Sequence, residues 1–84
     1  MNEKEFVIEV EDILRQLFRE KITGLELMYR LARSAIEFAK RGQIDECDIV
    51  WKYARRFYSI GRAEFERNLM SGSVWKSDKA RDRK

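Results

Sequence analysis

Apolar positions recur along this chain at three- and four-residue intervals, the period of an α-helix. Phe6, Val10, Ile13, Leu14, Leu17 and Phe18 fill one face of a helical wheel, with Val7 at its edge. Glu9, Asp12, Arg15, Gln16 and Arg19 fill the other. The pattern predicts an amphipathic helix from about Glu3 to Lys21. Ile22, Thr23 and Gly24 interrupt it, and Thr23 with Glu26 has the spacing of a capping box. A second helix then runs to about Arg41, with Leu25, Met28, Ala32, Ala35, Ile36 and Ala39 as its main stripe. Lys40 and Arg41 suit its negative end, and Gly42 suits the left-handed position beyond it.

Asp45 predicts the next N-cap, with Glu46 and Asp48 in the first turn, where the helix dipole favours acids. Cys47, Val50, Trp51, Ala54, Phe57, Tyr58 and Phe65 form the third stripe. Gly61 lies on it. Either a neighbouring helix approaches closely there, or the chain turns at Ser59-Ile60-Gly61 and a short fourth helix follows. The continuous helix, ending near Met70, is the preferred reading. The expected fold is all-α: an antiparallel three-helix bundle over residues 1–72, then a flexible basic tail over 73–84. Phe6, Ile8 and Val10 also alternate like a strand, and a strand before two helices would make a ribbon-helix-helix DNA binder. That strand would turn Glu5, Glu9 and Glu11 toward phosphate, which repels them.

The stretch LARSAIEFAKRGQIDECDIVWKYARRF resembles one tetratricopeptide-type helical hairpin. The likeness covers under half the chain. One hairpin is not a repeat array, so it implies no function.

Composition narrows the function classes. The chain has 84 residues, 44% apolar and 39% charged, which suits one small folded domain. Charges interrupt every apolar run well short of the about 20 residues a membrane span needs, and Glu3, Lys4 and Glu5 do not open a signal peptide. A cytoplasmic protein is expected. Amides are scarce and Glu, Lys and Arg abundant, a balance common in hyperthermophile proteins. There is no histidine to act as a general base. The single cysteine, Cys47, falls on a core stripe between Glu46 and Asp48, which disfavour a thiolate. Glu5, Glu9 and Asp12 share a helix edge, but no calcium-loop pattern accompanies them, so a solvated face is the expectation. Neither an enzyme nor a cofactor is indicated.

Two features point to binding. The second helix adds Leu27, Leu31 and Phe38 outside its main stripe, and the third adds Ile49, Tyr53 and Ile60, so each apolar arc reaches about 200°. That excess predicts a surface for a larger protein or for a second copy in preference to the alternative, a core wrapped within the chain itself. Net charge is +3, but Met1–Glu26 carries four basic and seven acidic residues, whereas Trp51–Lys84 carries ten basic and four acidic. Lys52, Arg55, Arg56, Arg62 and Arg67 form a basic ridge on the third helix, continued by Lys76, Lys79, Arg81, Arg83 and Lys84. Such a ridge suits nucleic acid, bound electrostatically and without base selectivity. A helix-turn-helix docking is disfavoured, because Asp45, Glu46 and Asp48 would meet the phosphates. Trp75 stands in the hydrophilic tail as an anchor, for docking on protein or for stacking on a base with Lys76 and Lys79 on the phosphates. The expected function is a non-catalytic accessory subunit of a nucleic-acid machine such as a polymerase complex. The alternative is a stand-alone, nonspecific nucleic-acid binder, most simply a homodimer.

Overall fold

A computed structural model describes residues 1–75. Four helices follow one another: α1 (Glu3–Arg19), α2 (Gly24–Lys40), α3 (Ile44–Ile60) and α4 (Arg62–Ser71). No strand occurs among the described residues. The alternation of Phe6, Ile8 and Val10 therefore lies on a helix, since the 3.6-residue pattern extends over all of α1 while the strand pattern spans only a few residues.

The helix ends show why the chain breaks where it does. The Asn2 side chain accepts from the Glu5 N–H at 3.1 Å and the Thr23 hydroxyl from the Glu26 N–H at 3.1 Å, each satisfying an orphan donor. The Glu26 carboxylate instead takes Arg30 Nε at 3.0 Å. At the end of α1, Lys21 N–H bonds Phe18 O and Ile22 N–H bonds Leu17 O, the paired bonds of a Schellman turn. The same pairing closes α2, with Gly42 N–H on Ala39 O and Gln43 N–H on Phe38 O. Helix α3 begins at Ile44, not after an Asp45 cap. Gln43 occupies the cap position, and Asp45 and Glu46 sit inside the first turn, where they still face the positive end of the dipole.

Gly61 corrects the expectation of one long third helix. Its φ of 87° and ψ of 163° lie in a region closed to residues with a Cβ, and the chain turns there into α4. The turn brings Phe65 under Phe57, edge to face at 5.2 Å between centroids, and near Phe18 at 6.1 Å. Phe65 and Leu69 are fully buried as a result.

α2 and α3 are the most closely packed pair. The connection between them is Arg41, Gly42 and Gln43, and Gly24 at the start of α2 lies beside Phe57 near the end of α3. The two helices are thus the arms of an antiparallel hairpin. α1 and α4 close its inner face over Leu14, Phe18, Leu27, Leu31, Val50, Tyr53 and Phe57.

Gly61→Ala should destabilise the fold by about 1–3 kcal/mol, because alanine must hold a glycine-only conformation. Thermal unfolding followed by circular dichroism measures this as a fall in Tm, with helix content retained below the transition. An unchanged Tm would mean that α3 runs on without the turn.

Candidate functional site

The one buried charged side chain among the described residues is Glu11 on α1, 3% exposed. Its Oε2 accepts three hydrogen bonds: Tyr53 Oη at 2.8 Å, Ser73 Oγ at 2.9 Å and the Trp75 backbone N–H at 3.1 Å. One turn further along, Arg15 approaches Glu11 Oε1 at 3.5 Å. Arg15 also donates from Nη1 to Asp12 Oδ1 at 3.0 Å, from Nε to Leu69 O at 3.0 Å and from Nη2 to Gly72 O at 2.6 Å. The carboxylate and the guanidinium together receive the chain that leaves α4. Arg15 satisfies carbonyls at the negative end of that helix, and Glu11 satisfies the N–H of Trp75, four residues past it.

This corrects the tail boundary. Ser73 to Trp75 are packed on the helices and do not belong to a flexible segment. Val74 is 2% exposed, and the Trp75 ring lies over Tyr53 at 5.7 Å. Lys52 Nζ stands 4.5 Å from the centre of the same indole, a cation–π contact. Trp75 is an anchor, and in this structure its dock is its own chain. Lys76, Lys79, Arg81, Arg83 and Lys84 lie outside the described residues.

The basic ridge is partly drawn into the fold. Gly61 divides it between two helices, α3 bearing Lys52, Arg55 and Arg56 and α4 bearing Arg62 and Arg67. Arg62 sits over the Phe18 ring at 5.3 Å, and Arg56 is half-buried beside Val74 and Trp75. Arg55 and Arg67 are the ridge residues that lie exposed without such a ring contact.

Most of the positions expected at a partner surface are buried instead. Leu27, Leu31, Ile49 and Tyr53 are interior, at 0%, 6%, 5% and 1% exposure, while Phe38 and Ile60 are half-buried against the core. The added cover of α4 and of Val74–Trp75 enlarges the interior and draws these positions into it. Leu25, Ile36 and Tyr58 of the expected core stripes face outward instead, together with Tyr29 and Ile44. On α2, Leu25, Tyr29 and Ile36 are exposed, at i, i+4 and i+11, with Ala32 between them. On α3, Ile44 and Tyr58 are exposed and Trp51 is half-buried, at i, i+7 and i+14. Each stripe lies about 120° around its helix from the buried face, by the 100° step per residue. Because the helices are antiparallel, the two stripes turn to the same side of the hairpin, away from α1. Leu25 and Tyr58 are the most exposed of them, at 85% and 84%.

Between α1 and α2, on the opposite side, runs a groove of ≈ 500 Å³. Among the described residues, no group of three His, Cys, Asp or Glu side chains is placed to hold a metal ion, Glu5, Glu9 and Asp12 included. Cys47 is buried. No helix of the described residues is long and apolar enough to cross a membrane. Comparison with protein-family models, curated proteins and solved structures finds no match to this chain.

Burial, and then the hydrogen bond to Glu11 and its charge, hold the Tyr53 phenol well above its ordinary range. The folded protein therefore keeps the proton where the unfolded chain loses it. Stability from this group is complete below the unfolded value of 10.0 and falls as pH rises through it, by up to about 1.4 kcal/mol per pH unit. Urea denaturation between about pH 9 and about pH 11 should show a shallower fall for Tyr53→Phe, which cannot ionise. At neutral pH, Glu11→Ala should cost about 3–5 kcal/mol by leaving three donors without their acceptor. A chain ending at Gly72 should lose about 3 kcal/mol or more through Val74, Trp75 and their bonds. Wild-type stability of that truncated chain would show that residues 73–75 lie loose in solution.

Proposed function

We propose that this protein is a small, non-catalytic helical adaptor that docks a larger protein through the outer face of the α2–α3 hairpin. The observation that carries the reading is the alignment of Leu25, Tyr29, Ile36, Ile44 and Tyr58, exposed together beside half-buried Trp51. Isolated exposed apolar residues are ordinary on any protein, but five large ones aligned on two neighbouring helices are not. Two tyrosines and a tryptophan on it are the residue types that anchor protein interfaces. The non-catalytic reading is supported by the absence of histidine from the chain and the burial of Cys47.

A place beside nucleic acid is a further element of the proposal, and charge supports it. Arg55 and Arg67 project from adjoining helices, and the residues after Trp75 add five more basic side chains to two acidic ones. In this arrangement the apolar face binds the machine and the basic side lies near its phosphate backbone. Any such contact is electrostatic, because no helix N-terminus here presents base-reading groups without carboxylates beside them.

Leu25→Glu with Tyr58→Glu should leave the thermal transition within about 0.5 kcal/mol of wild type, since both side chains point to solvent. The same pair should abolish recovery of the stoichiometric partner from lysate of the source cells. Tyr53→Glu should unfold the protein outright, because it buries a second charge beside Glu11. Retention of the same partner by the double variant would refute the docking face. Affinity for duplex DNA, measured by fluorescence anisotropy, should fall steeply with salt and fall further in Arg55→Glu with Arg67→Glu.

A further inference from the structure

The groove between α1 and α2 has a geometry of its own. Leu14, Leu31 and Val50 form its floor. Phe6 and Phe38 close one end, edge to face at 5.5 Å between ring centroids, and Leu17 and Leu27 line the other. Along the α1 wall stand Phe6, Val10, Ile13 and Leu17. Their spacing is four, three and four residues, the alternation of a coiled-coil seam. None of the four is fully buried, and Ile13 is 59% exposed. A seam of this period packs its knobs into the holes of another helix, whereas an acyl chain has no matching repeat. From Phe6 to Leu17 it spans about 17 Å, three turns.

The α2 wall adds charge. Arg30, Arg33 and Arg41 line it with a single acid, Glu37, while Glu9 is the acid on the α1 side. Arg30 is held by Glu26 and Arg33 by the Tyr29 hydroxyl, so both guanidiniums are steadied along the rim. An incoming helix with carboxylates on its α2-facing flank would meet three guanidiniums, Arg30 already paired with Glu26, and the one carboxylate of Glu37.

We propose that this groove is a docking site for an amphipathic helix of another protein. The helix is three to four turns long, has Leu, Ile or Phe along one edge at the a and d spacing, and carries Asp or Glu on the flank facing α2. This site is separate from the outer α2–α3 face, and neither reading depends on the other.

The test uses two fluorescein-labelled peptides of about 14 residues, with leucine at every a and d position. One carries glutamates on a single flank and the other lysines at the same positions. In anisotropy titrations the acidic peptide should bind one to one, at least about tenfold tighter than the basic one. Ile13→Glu and Ile13→Ser, changes at an exposed position, should each melt like wild type and weaken the acidic peptide about tenfold or more. Arg30→Glu with Arg41→Glu should reverse the preference between the peptides. Tyr58→Glu, on the other face, should change nothing. Equal affinities, insensitivity to both Ile13 variants, absence of binding by either peptide, or uptake of palmitate with neither peptide bound would overturn the proposal.

Discussion

The fold turns on one buried carboxylate. Removing Glu11 from water costs several kcal/mol unless its lone pairs are filled, and filling them needs groups from distant parts of the chain. Tyr53 comes from the middle of α3, while Ser73 and the Trp75 N–H come from beyond α4. Arg15 adds a positive charge on one side and ties down the last carbonyls of α4 on the other. The arrangement is satisfied only when α1, α3, α4 and the segment after it are all in place. An apolar core holds many near-equivalent packings; this network admits one register of the returning chain against α1.

That constraint also decides which apolar residues face water. Once Val74 and Trp75 cover Tyr53 and α4 covers Phe57, the interior lies to one side of the hairpin, and Leu25, Ile36 and Tyr58 are left on the other. The outer face and the α1–α2 groove are therefore consequences of one choice. A single layer of helices covers the inner side of α2–α3, and among the described residues no element covers the outside.

Much of the local structure was legible in the sequence, for physical reasons that differ by position. α1 could be read because one strong period runs over its whole length. Thr23 and Gly42 could be read because capping and left-handed turns favour few residue types. Gly61 was legible as a break or a close contact, but its φ was not, since glycine serves both. Glu11 was not legible. On the wheel it lies beside Val7 and Phe18, and nothing local distinguishes an acid at the edge of an apolar stripe from one sealed by residues more than forty positions away. The same ignorance misplaced Leu27, Leu31, Ile49 and Tyr53. An arc of about 200° shows that a helix has two apolar sides, not which of them the rest of the chain will cover. Trp75 stood out as an anchor because its neighbours are hydrophilic, while its dock required knowing where Tyr53 and Lys52 point.

The latch also spans most of the chain. Glu11 and its last donor, Trp75, stand 64 positions apart. A contact of such separation carries a large loop-closure entropy, whereas α2 and α3 are joined by only three residues. The hairpin is therefore the contact that the chain makes locally, and the latch is the one that requires almost everything between Glu11 and Trp75 to be ordered first.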